Sequence, residues 1–113
     1  MKIEDYSRQA ISTLLGDHDV VDMSPALISQ VFGLVGESGE VAEKFKKLIR
    51  DKGGQLSDED KQEILKELGD ILWYINSVSN LLGSNLEEVA QKNLDKVLSR
   101  KARGVQTGSG DNR

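Results

Sequence analysis

The chain has 113 residues, 15 basic and 19 acidic, for a net charge of −4; this is enough for one domain with a modest core, not for two. With no cysteine and a single histidine, disulfides, thiolate zinc sites and thiol catalysis are excluded, and a His-rich transition-metal site is disfavoured. The acidic balance argues against a general nucleic-acid binder, no apolar run approaches the ~20 residues of a bilayer span, and the charged start MKIEDYSRQA does not resemble a signal peptide, so a cytoplasmic protein without nucleic-acid or membrane partners is expected.

One proline and 4% aromatic residues favour long helices over a β-sandwich. The first helical segment, about residues 3–15, carries Ile3, Tyr6, Ala10, Ile11 and Leu14 at helical spacing. A polar loop from Gly16 to Ser24, holding His18, separates it from a second segment over about 25–51. That segment opens on Ser24 as N-cap and Pro25 at the first helical position. Its apolar stripe centres near Val31, Leu34 and Phe45. Gly53-Gly54 breaks the chain, and Ser57 caps a third segment over about 58–82, with Asp58, Glu59 and Asp60 favourable at the positive end of the helix dipole. Its stripe centres near Ile64, Leu68 and Ile75. Gly83 closes it, and Asn85 with Glu88 has the spacing of a capping box for a fourth segment over about 86–103. Gly104 is the expected stop. No stretch alternates with period two, so the expected fold is all-α, a small four-helix bundle-like unit with the second and third helices at its centre.

Four carboxylates are placed in matched pairs. Glu37 and Glu40 lie at i, i+3 on the second helix, and Glu67 and Asp70 at i, i+3 on the third. At ~100° per residue, Glu37 falls roughly 100° and Glu40 roughly 160° from the apolar stripe, while Glu67 and Asp70 fall roughly 80° and 140° from theirs, in the same sense. Antiparallel packing across the Gly-Gly turn brings both pairs to one cleft. Acids that close repel unless a cation neutralises them, and an oxygen-only ligand set selects Mg²⁺, Mn²⁺ or Ca²⁺. Such pairs are also common on solvated helix faces. Gly36, Gly39 and Gly69, each costing roughly 1 kcal/mol against alanine in a helix, point to a close backbone approach beside the acids. Glu43 fits either a supporting or a solvated position.

Residues 92–103 hold Lys92, Lys96, Arg100, Lys101 and Arg103 against Asp95, a net of +4 that leaves −8 for the rest. Lys92, Lys96, Arg100 and Arg103 share one face of the fourth helix. This is either a solvated face near a helix C-terminus or, beside a metal, a phosphate clamp, with Asn93 on its edge. Trp73 and Phe32 lie far from the core stripes of their helices, and a second subunit is expected to cover them. Tyr74, one turn past Asp70, fits either core packing or contact with a nucleobase.

The run Gly36-Glu37-Ser-Gly-Glu40-Val-Ala-Glu43, followed by Glu67-Leu-Gly-Asp70-Ile-Leu-Trp-Tyr74, resembles the MazG-like nucleotide pyrophosphohydrolases of the all-α NTP pyrophosphatase superfamily. Asn93-Leu-Asp-Lys96-Val-Leu-Ser-Arg100-Lys-Ala-Arg103-Gly and the ending Gly108-Ser-Gly-Asp111-Asn-Arg113 are similar to the same group, and the resemblance covers about residues 25–113. It implies a single MazG-like helical domain, placed over 1–104, and the Gly-Ser-Gly-Asp-Asn-Arg composition marks 105–113 as a flexible tail. It further implies Mg²⁺-dependent hydrolysis of nucleoside triphosphates, non-canonical or surplus ones included, to a nucleoside monophosphate and pyrophosphate. By the same resemblance Glu37, Glu40, Glu67 and Asp70 hold the metal (Mn²⁺ being a substitute), with Glu37 or Glu40 as the base that activates water. Tyr74, Asn93, Lys96 and Arg100 match substrate-binding positions, and the active unit is a homodimer or homotetramer. A phosphoribosyl-ATP pyrophosphatase-like enzyme and a non-enzymatic helical interaction module stand as the alternatives.

Overall fold

The computed structural model describes residues 1–15 and 23–113; the expected loop position of His18 lies outside them. Four helices follow in order, α1 (Ile3–Ile11), α2 (Pro25–Lys52), α3 (Asp58–Leu81) and α4 (Leu86–Arg103), with no strand among the described residues. The helix starts obey local chemistry. The Ser24 hydroxyl accepts a hydrogen bond from the Leu27 N–H at 3.1 Å. Ser57 and Asp60 form a reciprocal capping box at 3.1 and 3.0 Å. Asn85 caps the Glu88 N–H at 2.9 Å. The second half of the expected box at α4 is missing, because the Glu88 carboxylate pairs with Ser84 and Lys92 instead. α1 ends earlier than expected. Ser12 and Thr13 donate their hydroxyls back to the Gln9 and Ala10 carbonyls at 2.6 and 2.7 Å, which takes up acceptors of the last turn.

α2 and α3 form an antiparallel hairpin. Gly53 and Gly54 turn the chain with φ of +62° and +81°, a conformation that glycine adopts without steric cost. Lys52 then bonds Asp60 at 2.9 and 3.0 Å across the turn and ties the end of α2 to the start of α3. Along α2 the half-buried positions include Leu27, Gln30, Leu34, Glu37, Val41, Lys44 and Leu48; along α3 they include Asp60, Ile64, Glu67, Ile71, Tyr74 and Val78. Their intervals alternate three and four, the heptad spacing of two helices meeting along a seam. Every second seam position is polar: Gln30, Glu37 and Lys44 on α2, and Asp60, Glu67 and Tyr74 on α3.

This corrects the expected stripes in part: Leu34, Ile64 and Ile75 are half-buried as expected. Val31, Phe45 and Leu68 are exposed, and Glu37 and Glu67 lie in the helix contact itself. Hydrophobic periodicity placed Leu34 and Ile64 in the contact, but the seam runs to one side of Val31, Phe45 and Leu68, where rungs of Leu, Val and Ile alternate with polar side chains.

A closed four-helix bundle is not formed. Among the described residues α1 packs on no other helix, and α4 packs on α3 and not on α2. No apolar side chain among them is buried; the two buried residues are Ser79 and Arg100. Phe32 and Trp73 are 71% and 60% exposed, as expected for a single copy. The accessible surface is 9196 Å², against about 6,100 Å² for a compact monomer of this mass. The radius of gyration is 19.7 Å, against about 13 Å for a compact chain of this length.

The tail expected to be flexible folds back on α4. Arg113 closes it by donating to the carbonyls of Gly110, Gln106 and Val105 at 2.6, 3.2 and 3.3 Å. Arg103 binds the Arg113 carbonyl at 2.9 Å.

Candidate metal centre and anion site

The hairpin register sets one carboxylate of α2 against two of α3. One oxygen each from Glu37, Glu67 and Asp70 lie within 4.8 Å of one another. A hard divalent cation with bonds of about 2.1–2.4 Å holds its oxygen ligands about 3–4.8 Å apart, so the spacing suits such an ion. The environment suits it too. Glu37 Oε2 and Glu67 Oε2 are buried and have no hydrogen-bond partner, a state that costs free energy until something binds them. The Glu37 carboxyl is held above its ordinary range, first by partial burial and then by the like charges of Glu40, Asp70 and Glu67.

Glu40, expected as a fourth ligand, does not join the three oxygens. It is exposed beside Glu37, close enough to raise that group's pKa. Its place follows from helical geometry. Glu37 is followed along the seam by Val41, four residues on, so Glu40 falls outside the row of contact positions.

Two residues were not singled out by the sequence pattern. Lys44 reaches across the seam, with its Nζ 3.6 Å from Glu67 Oε1, and among the described residues supplies the one positive charge paired with an acid of the cluster. Its heptad offset from Glu37 was the available signal. Gly33 is the second. A Cβ added there would overlap Cε1 of Tyr74, so the tyrosine ring lies directly on the α2 backbone. The close approach expected at Gly36, Gly39 and Gly69, by a ligand or another helix, is not made by a helix of the same chain, since all three face open space among the described residues. Tyr74 thus packs in the seam, one turn from the acids. Its ring meets Trp73 edge-on at 5.0 Å between centroids.

The basic end of α4 is organised separately. Lys96 Nζ donates to Asp111 Oδ1 at 3.0 Å. Arg100 Nη2 donates to the Asp111 carbonyl at 2.6 Å and lies 3.4 Å from its carboxylate. Those two cations, Lys96 first, hold the Asp111 carboxyl below its ordinary range. Asn93 is exposed on the same helix. Among the described residues, no hydrogen bond or ion pair joins this basic end to the acids of α2 and α3 within one chain.

Residues 27–105 match the MazG nucleotide pyrophosphohydrolase domain. The chain belongs to this family. The matched span of the MazG domain contains all but the first two residues of α2, with the whole of α3 and α4, and therefore every acid of the cluster and both Lys96 and Arg100; α1 lies outside it. The chain is also similar to the Gene 37 protein of Mycobacterium phage L5, at 43% identity over 117 residues and across the full length of both chains. No solved structure matches it. No helix among the described residues of the MazG chain is long and apolar enough to cross a membrane.

Proposed function

We propose that the chain is a Mg²⁺-dependent nucleoside triphosphate pyrophosphohydrolase that releases a nucleoside monophosphate and pyrophosphate. The observation that carries this reading is the convergence of three carboxylates from two helices, two of them with buried oxygens that the protein leaves unpaired. Family membership supplies the reaction class.

Glu37, Glu67 and Asp70 hold the divalent ion, with Mn²⁺ as a substitute for Mg²⁺. When bound, the ion neutralises the triphosphate oxygens and the charge that develops on them. Glu40, outside the three-oxygen group and beside it, accepts the proton of the attacking water. As the new bond to the α-phosphorus forms, the bond to the oxygen bridging α- and β-phosphates breaks, and that oxygen leaves with pyrophosphate. The Glu67–Lys44 pair fixes one ligand across the seam. The basic end of α4 attracts the polyphosphate.

We further infer that copies of the chain assemble, as a dimer or tetramer, over the apolar faces that one copy leaves exposed. A cytoplasmic setting, where nucleoside triphosphates occur, accords with the reading.

The test is to incubate the protein with each NTP and dNTP in Mg²⁺ and assay pyrophosphate. At least one substrate is expected to yield pyrophosphate, and Glu40→Gln to lower the rate by about 10²–10⁴-fold, the usual worth of a general base. If no triphosphate gives pyrophosphate above the Glu40→Gln control, the reading fails.

A further inference from the structure

We propose that Asp111 is an intramolecular stand-in for a phosphate, holding Lys96 in the free enzyme until a di- or triphosphate displaces it. This rests on the assignment of the basic end of α4 to polyphosphate binding.

The contacts divide Asp111 into two parts with different work. Its backbone carbonyl receives Arg100 at 2.6 Å, and Arg100 is only 9% exposed, with its Nε buried and unpaired. That guanidinium is enclosed by the tail and serves as its anchor. The Asp111 carboxylate lies on the outside, on a side chain that is 80% exposed; it takes the Lys96 ammonium at 3.0 Å and keeps only a longer contact, 3.4 Å, with Arg100 Nη2. Lys96 is the more accessible of the two bases, its side chain being 35% exposed.

The tail does not have to unfold to free Lys96. The bonds of Arg113 to the carbonyls of Val105, Gln106 and Gly110 and of Arg103 to the Arg113 carbonyl involve neither Lys96 nor the Asp111 carboxylate. A rotation about the Asp111 side chain releases the ammonium and leaves the Arg100 anchor in place.

A carboxylate and a phosphate oxygen offer a lysine the same kind of charged acceptor. They differ in total charge. A single carboxylate competes well with weakly charged anions and poorly with a polyphosphate, so Asp111 selects for substrates and products carrying two or more phosphates. The residue also keeps Lys96 extended and paired between turnovers.

The experiment measures pyrophosphate binding to the full chain by calorimetry in Mg²⁺. Lys96→Met is expected to weaken binding. Asp111→Asn, which keeps the carbonyl and the shape, is expected to tighten it roughly 2- to 5-fold, the scale of an exposed ion pair. In the double variant the gain disappears. Asp95→Asn, which neutralises an acid of α4 bonded to Gln91, is the control for net charge and is expected to leave affinity unchanged.

A second measurement on the unaltered protein follows the ¹³Cγ signal of Asp111, which is expected to shift as pyrophosphate is added. Equal or weaker binding by Asp111→Asn, an equal gain in Asp95→Asn, or a motionless Asp111 signal overturns the proposal while leaving Lys96 as an anion ligand. Unchanged binding by Lys96→Met removes the underlying assignment instead, and the proposal with it.

Discussion

Two half-buried carboxylates at equivalent heptad positions behave in opposite ways, and their neighbours explain why. Asp60 receives the Lys52 ammonium first of all, then the Ser57 N–H, and its pKa falls to about 2 from an ordinary 3.8. Glu37 receives no donor at its inner oxygen, faces three other acids, and is shifted up. A satisfied acid in a helix contact is structural; an unsatisfied one among like charges is waiting for a ligand. The satisfied acid has a consequence for acid stability. A depressed carboxyl stabilises the fold above its ordinary pKa, and that contribution is lost as pH falls from about 4 towards 2. Asp60→Asn is therefore expected to unfold at lower urea than the unaltered protein at pH 7, with the difference closing by pH 2. A difference that persists unchanged at pH 2 assigns the effect to something other than the charge.

At the scale of the helices, the starts were legible in the sequence and the packing face was not. Ser24, Ser57 and Asn85 cap as their local chemistry requires, because a cap involves only three or four adjacent residues. The Glu37/Glu40 and Glu67/Asp70 pairs were legible as a candidate site for the same reason. The register of the hairpin depends on the partner helix. Nothing in the α2 pattern distinguishes Val31 and Phe45 from Leu27 and Val41 as the neighbours that join Leu34 in the contact until α3 is placed against it. The glycines show the same limit. Gly36 and Gly39 drew attention by standing beside acids, while the close approach is at Gly33, whose partner is distant in sequence. Gly33→Ala is expected to cost about 1–3 kcal/mol, since the added methyl meets the Tyr74 ring. The loss is expected to be largely relieved in Gly33→Ala/Tyr74→Ala relative to Tyr74→Ala alone. Urea denaturation of the three variants measures it, and strict additivity would mean that the ring and the glycine do not interact.

The whole molecule presents about 3,000 Å² more surface than a compact chain of its mass, which exceeds the ~800 Å² per partner of a standard interface. Phe32, Trp73, Leu72 and Val35 are all part of that excess. Light scattering is expected to give a mass that is a multiple of 12.4 kDa. Trp73→Glu is expected to lower that mass or, where assembly and folding are inseparable, to lower the melting temperature steeply with dilution. A folded monomer at micromolar concentration would contradict the inferred assembly. Among the described residues no bond joins the basic end of α4 to the acids within one chain, and the inferred assembly is the scale at which neighbouring copies can add groups to either.

The alternation along the α2–α3 seam limits how this protein can be improved. In an ordinary helical hairpin, the polar rungs would be the first positions to fill with leucine, and stability would rise. Here three of the six polar rungs are Glu37, Lys44 and Glu67. A selection for robustness alone, acting on these positions, ends in a tougher hairpin that has lost its acid cluster.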